Sequence, residues 1–214
     1  MGSAGSKAVG SRSRTRSIAR VAMTIALLSV SAWVAIPLGP VPFTLQTFVL
    51  AFALLVLRPS ECLAALAGYL ALGAAGAPVF SGMRGGIGML AGATGGFLWG
   101  FLLGAVAALA LLRVLPDNAS ARSSGNADDA RKGHARRRRV LGSLRDFAVC
   151  LAFLAISYAC GWVQLMAVAG MGPVPAFLAA IAPFIVPDLA KLAVAVGVAQ
   201  AVRRAVPSLR RARA

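Results

Sequence analysis

Two ionised side chains stand where the surrounding sequence leaves them no water. Asp188 and Lys191 are the only charged residues deep inside an apolar run of this 214-residue chain, which has 22 Lys+Arg and 6 Asp+Glu in all. Each costs about 2.5–3.5 kcal/mol at the centre of a membrane helix. At positions i and i+3 they share one helix face and can pair. Stability alone is a weak reason to keep such a pair, because apolar replacement is often neutral or stabilising. The pair therefore points to binding: a carboxylate that accepts and an ammonium that donates, both strong in a dry site. Pro183 and Pro187 lie just upstream, loosen the helix and free backbone carbonyls, as binding segments of membrane carriers do.

Two further segments bring polar groups. Gly39-Pro40-Val41-Pro42-Phe43-Thr44-Leu45-Gln46 is compact and ends at the start of a helix. There Thr44, Gln46 and Thr47 are placed to hydrogen-bond a ligand, helped by the positive helix end. Helix capping is the alternative role for Thr44. The second segment, Pro78 to Gly88, is glycine-rich and carries Arg84, a candidate partner for a ligand carboxylate or else a solvated loop arginine.

Other chemistry is missing from the sequence. It contains no GxxxxGK[ST] loop, no HExxH, no Ser/His/Asp set and no carboxylate cluster near the apolar runs. His134 is isolated, so neither a metal nor a cofactor is expected. Gly86-Ile87-Gly88-Met89-Leu90-Ala91 fits GxGxxA formally, but no strand precedes it and no acidic residue follows about 20 positions on, so the dinucleotide reading fails. Cys62, Cys150 and Cys160 all lie in apolar runs and read as small core residues.

The elements that must position these groups follow from composition. The chain is 59% hydrophobic and 13% charged, with a mean hydropathy of +0.80. Soluble domains carry about 25% charged residues, so a soluble enzyme is excluded. Four uncharged stretches run from Val21 to Leu57, Cys62 to Met83, Gly85 to Leu112 and Phe147 to Pro187. The first and last are too long for one helix and are cut by Pro/Gly clusters at Gly39–Pro42 and Met171–Pro175. The expected class is an all-α integral membrane protein with six transmembrane helices, near Ser17–Ile36, Thr44–Leu57, Cys62–Ala77, Met89–Leu115, Phe147–Ala169 and Ala176–Val202.

Charge distribution orients the bundle. With six spans, one side collects Lys7 and the four arginines up to Arg20, Arg58, the nine cations from Arg113 to Arg145, and the five from Arg203 to Arg213. That is twenty of the 22 basic residues. The other side holds Arg84 alone, so both termini are expected in the cytoplasm. A nucleic-acid binder would spread its net charge of +16 over folded polar surface, whereas here it sits in short blocks between apolar runs. The expected division is a basic tail over 1–16, a membrane domain over 17–202 with a polar, disordered-looking cytoplasmic loop at 116–143, and a basic tail over 203–214. The first helix is expected to be retained rather than cleaved as a leader. The loop cations are expected to face anionic lipid. Gly92, Gly96, Gly100, Gly104 and Ala108 form a small-residue stripe for close helix packing.

Taken in order within this six-span frame, several stretches resemble one family. They are Val41-Pro42-Phe43-Thr44-Leu45-Gln46-Thr47-Phe48, Gly76-Ala77-Pro78-Val79-Phe80-Ser81-Gly82, Thr94-Gly95-Gly96-Phe97, and Pro183-Phe184-Ile185 with Asp188 and Lys191. The sequence resembles the BioY family, the biotin-specific S components of energy-coupling factor (ECF) transporters. The resemblance implies a multi-pass subunit of the bacterial cytoplasmic membrane, not an enzyme, with an outward-facing biotin pocket. It also implies partners: a T-type membrane scaffold and two ATP-hydrolysing subunits, with Ala22 and Ala26 at the position of the scaffold-docking patch. Where the family has Gly-Pro-Thr-Gly-Gly-Tyr, this chain has Gly92-Ala93-Thr94-Gly95-Gly96-Phe97 and therefore no hydroxyl at Phe97.

Biotin chemistry suits these residues. Its fused rings need an apolar, aromatic wall, with Phe43, Trp99, Tyr158 and Trp162 as candidates. Its ureido group has two N–H donors and one acceptor, matched by Asp188 and Lys191; Lys191 is equally a partner for the carboxylate, and Arg84 takes that role if the ring lies deepest. The rival readings are an S component for another vitamin, a small membrane enzyme using Asp188, and an oligomeric scaffold held by the glycine stripe.

Overall fold

The computed structural model describes residues 4–115 and 128–206, with side chains over 14–115, at 137 and over 140–206. Helix α1 (Ala4–Trp33) leads into a two-stranded antiparallel hairpin, β1 (Ala35–Pro37) and β2 (Pro42–Thr44). Then follow α2 (Gln46–Val56), α3 (Pro59–Ala74), the short α4 (Ile87–Ala91), α5 (Gly95–Val114), α6 (Asp128–Ala169), α7 (Pro173–Ala180) and α8 (Ala182–Ala205).

Three helical segments among the described residues are long and apolar enough to cross a membrane: Gly95–Val114, Val140–Ala169 and Ala182–Ala205. At about 1.5 Å per residue, a helix of roughly 20 residues matches a hydrocarbon core about 30 Å thick. These helices expose Leu103, Val106, Leu151, Val163, Val194 and Val198, a surface suited to lipid and not to water. Helix α2 is different. It has 11 residues, nine of them buried, and packs between α1, α8, α5 and α6 as the centre of the bundle.

Close approach of α5 and α6 depends on the glycine stripe. A methyl group added at Gly96 would stand 2.3 Å from the Cys160 carbonyl, and one at Gly100 would stand 2.7 Å from the Ser157 Cα. Gly104 meets Phe153 in the same way, and Ala108 continues the row fully buried. Contact between the two backbones replaces side-chain interdigitation, which is how small residues hold membrane helices together. Cys62 and Cys150 are buried in the core as well, while Cys160 is half-buried.

The structure departs from the expected spans at four places. The segment before α2 is a hairpin rather than a simple loop, with Ala35 opposite Thr44 and Ile36 opposite Phe43, so the first helix ends at Trp33 instead of Ile36. Gly39, at φ +115°, makes the turn that reverses the chain. The expected fourth span is broken at Gly92–Thr94, leaving α4 as a separate turn of helix. The side chain of Gln164 holds this break open by donating from Nε2 to the carbonyls of Leu90 and Gly92, both at 2.8 Å. The expected sixth span breaks at Ile181, where α8 starts anew with Pro183 in its first turn; Pro183 has no N–H to continue the hydrogen bonding of α7. Finally, α6 begins at Asp128, so the second part of the segment expected as a disordered-looking loop is helix; residues 116–127 lie outside the described ones.

Ion pairs close one end of the bundle. Glu61, only 2% exposed, accepts from Ser17 Oγ at 2.7 Å, pairs with Arg20 at 3.0 Å and takes the Arg58 amide. It thereby ties α1 to α3. Asp146 pairs with Arg203, and Ser143 with Gln200, tying α6 to α8.

Gly100→Val is expected to destabilise the chain by about 1–3 kcal/mol, since the added atoms overlap fixed backbone. Gly88→Ala, where a methyl meets nothing within 4 Å, is expected to stay within about 0.5 kcal/mol of the parent. Thermal unfolding in detergent, followed by tryptophan fluorescence, distinguishes the two; equal midpoints would remove the stripe from the packing account.

Candidate functional site

The buried start of α2 meets the broken end of α8, the middle of α6 and the hairpin strand β2 around one cavity of about 80 Å³. Its lining includes Phe43, Thr44, Gln46, Thr47, Phe80, Ser81, Arg84, Phe97, Tyr158, Phe184, Asp188 and Lys191. Aromatic rings and polar groups both line it.

Asp188 is the hub of those polar groups. It is 4% exposed and takes three donors from three elements. Lys191 Nζ lies 2.7 Å from Oδ1, Thr47 Oγ1 donates to Oδ1 at 3.0 Å, and the Tyr158 hydroxyl donates to Oδ2 at 2.7 Å. An ionised carboxylate has about four acceptor positions, so one stays open to a donor in the cavity. Lys191 also donates to the Thr44 carbonyl at 2.6 Å, and its ammonium sits 3.6 Å from the centre of the Phe43 ring. That cation–π contact and carbonyl bond fasten the hairpin to α8. The three contacts of the ammonium, with Asp188, the Thr44 carbonyl and the Phe43 ring, fix Lys191 in the wall of the cavity.

Aromatic rings shape the rest. Phe43 stacks on Phe184 with centroids 6.3 Å apart, and Phe97 meets the Tyr158 ring edge-on at 6.4 Å. The Tyr158 hydroxyl reaches Asp188 from α6, beside a position on α5 that has no hydroxyl of its own. Thr44 and Gln46 are engaged with each other: the Thr44 hydroxyl donates to Gln46 Oε1 at 3.2 Å and accepts the Gln46 amide at 3.4 Å.

Arg84 also lines the cavity and is exposed, whereas Asp188 is buried. Its loop is tightly wound, with Gly82, Met83 and Gly86 at positive φ and the Phe80 amide donating to the Arg84 carbonyl at 2.9 Å. A left-handed Met83 costs about 1–2 kcal/mol, so the loop is held by its surroundings. Arg84 Nε donates to the Ser81 carbonyl at 3.3 Å, and among the described residues no carboxylate pairs with it.

Of the residues singled out in the sequence, Asp188, Lys191, Thr44, Gln46, Arg84, Phe43 and Tyr158 meet around this cavity. Trp99 and Trp162 do not line it. Trp99 follows Leu98, which does, and the 100° step of the helix turns its ring to the outer surface, where it is 44% exposed. Trp162 lies one turn beyond Tyr158, donates Nε1–H to the Pro173 carbonyl at 3.0 Å and packs against Phe177, bracing α7. Ala22 and Ala26 are exposed on α1, on the far side of the helix from buried Thr24 and Leu28. No group of three or more metal-ligating side chains occurs among the described residues.

Tyr69 escaped the sequence reading. It is fully buried on α3, where its hydroxyl accepts from Gln46 Nε2 at 2.8 Å and donates to the Val79 carbonyl at 2.9 Å. It thus links the start of α2 to the Arg84 loop. Phe80 packs edge-on against its ring at 5.4 Å and fills the space left by Gly73. Nothing in local sequence marks this residue, since a tyrosine in an apolar helix reads as core. From the outer side, Trp33 Nε1–H donates to the Pro78 carbonyl at 2.7 Å and anchors the same loop to α1. Tyr69→Phe is expected to cost about 1–3 kcal/mol for the buried groups left unpaired and to speed amide exchange over residues 79–86. Exchange measured by mass spectrometry in detergent checks this; unchanged protection there would show that the hydroxyl does not hold the loop.

Comparison with known proteins adds four findings. A family model described as the BioY family matches residues 6–208. The probable biotin transporter BioY of Pyrococcus horikoshii is 33% identical over 187 residues, which cover 87% of this chain and 96% of that one. The biotin transporter BioY of Thermotoga maritima is 48% identical over 90 residues, covering 42% of this chain and only 53% of that protein, so this alignment spans about half the relative's length. The crystal structure of the S-component for biotin from an ECF-type ABC transporter shares the fold, with a TM-score of 0.74 at 19% identity, covering 90% of this chain and 93% of that one.

Proposed function

The chain belongs to the BioY family, and on that premise we propose that it is the membrane subunit that captures biotin outside the cell for uptake. The observation that carries this reading is the pairing of buried Asp188 and Lys191 in the wall of a cavity that aromatic rings also line. A ureido ring uses both: an N–H donates to Asp188 and the ring oxygen accepts from Lys191. These groups lie deepest, and Arg84 lies at the mouth, which favours the ring inside and the carboxylate at Arg84. Phe43, Phe97, Tyr158 and Phe184 supply apolar and aromatic contact for the bicycle and its thioether.

The same reading has six crossings, with α1 from about residue 17, α2, α3, α5, α6 and α8 as the membrane helices, and with both termini cytoplasmic. Twenty of the 22 basic residues on one side support it. The hairpin, the Arg84 loop and α7 then cover the outward end of a multi-pass protein in the bacterial cytoplasmic membrane. The sequence contains no ATP-binding loop, so energy for transport comes from partners: a T-type scaffold and two ATPase subunits. The exposed Ala22/Ala26 patch on α1 offers the scaffold a close approach. As a transporter subunit the chain alters no bond in its ligand, and biotin is recovered unchanged.

Equilibrium binding of labelled biotin to the detergent-purified chain tests the proposal. The parent is expected to bind, Asp188→Asn and Lys191→Met to lose about 2 kcal/mol or more, roughly 30-fold, for a buried charge-assisted bond. Arg84→Gln is expected to weaken biotin more than an analogue lacking the carboxylate. Displacement by a different vitamin but not by biotin would replace the ligand; a folded parent that binds nothing would end the proposal.

A further inference from the structure

One polar atom in the cavity has no partner. Ser81 Oγ is buried and makes no hydrogen bond with any described residue, although it lies in the lining of the cavity. A buried hydroxyl almost always has a partner, because desolvation without compensation is unfavourable. The backbone around Ser81 is held in place. Its carbonyl accepts from Arg84 Nε, its neighbour Phe80 is clamped by Tyr69 and Gly73, and Gly82 and Met83 behind it are wound into left-handed backbone. The loop therefore holds an unpartnered hydroxyl in the wall of the cavity, three residues from a guanidinium that has no carboxylate partner among the described residues.

We propose that Ser81 is a ligand-contacting residue, whose hydroxyl donates to the carboxylate of the bound molecule alongside Arg84. The proposal rests on the reading of the cavity as a biotin site with the carboxylate at its mouth. The two groups suit one anion. The guanidinium supplies charge and reach from an exposed position, and the hydroxyl supplies a directed donor from a buried one. A neutral end group forms a weaker bond with the hydroxyl and none of the ion pair, so the couple selects acids over their neutral analogues. An unpartnered hydroxyl has a second consequence: it burdens the empty protein and is relieved only when the ligand arrives. A residue that serves packing or loop structure acts in the opposite sense.

That difference in sign is the test. Ser81→Ala is to be compared with the parent for binding of biotin and of an analogue ending in a methyl group instead of the carboxylate, and for the unfolding midpoint of each ligand-free protein. Biotin affinity is expected to fall at least about tenfold, the worth of one hydrogen bond to a charged group, while the analogue changes less than about twofold. The ligand-free midpoint is expected to stay or rise. Equal loss for both ligands, or a lowered ligand-free midpoint, would make Ser81 a structural residue and overturn the proposal. Biotin affinity unchanged in the variant overturns it while leaving the biotin site standing. A parent that fails to bind biotin overturns both.

Discussion

The Asp188 carboxylate is the constraint around which the rest of the site is arranged. A charge this deep needs donors, and three elements provide them: Lys191 from its own helix, Thr47 from the start of α2 and Tyr158 from α6. Each donor fixes one wall. Thr47 places the N-terminus of the short, mostly buried α2 against α8, and Lys191 pulls the hairpin inward through the Thr44 carbonyl and the Phe43 ring. Such a network is unfavourable when partly satisfied and rigid when satisfied, so it fixes the geometry of the cavity wall.

The scaffold that brings these elements together is held by contact between backbones as much as by side chains. The row from Gly96 to Ala108 lets α5 lie directly on α6, and this contact positions Phe97 against Tyr158. Gln164 supports the abrupt end of α4 by donating to the Leu90 and Gly92 carbonyls. Irregular backbone within a membrane is tolerated where protein groups or a cavity satisfy it, and the break at Gly92–Thr94 and the one at Ile181 both border the cavity side of the bundle. At the other end, Glu61 with Arg20 and Asp146 with Arg203 fasten the helix pairs.

Much of this was legible in the sequence. Helix existence follows from apolar run length, and the stripe of small residues marks a packing face because its four-residue spacing stays on one side of a helix. Asp188 and Lys191 stand out because charge in an apolar run is rare. Boundaries were less legible. Proline and glycine announce a break, but whether the chain then forms a loop, a hairpin or a second helix depends on what it packs against. Ala35–Pro37 reads as the end of a helix until β2 is there to pair with it. Trp99 and Trp162 suited a ring-binding wall by residue type alone, and helix rotation placed one outside and the other under α7.

Tyr69, Gln164 and Ser81 mark the boundary between the two kinds of information. Tyr69 bonds to Gln46, 23 residues away, Gln164 bonds to carbonyls 74 and 72 residues away, and Ser81 Oγ has no partner among the described residues, so no local pattern announces them. The sequence by itself determined what must be buried in lipid, which charges need a purpose there, and where helices pack tightly, because those are consequences of residue type and short-range spacing. Only the tertiary structure decided which polar groups meet, which aromatic rings face the cavity, and which hydroxyl is left over. Those depend on the rotation of each helix about its axis, and that is set by contacts between residues far apart in the chain.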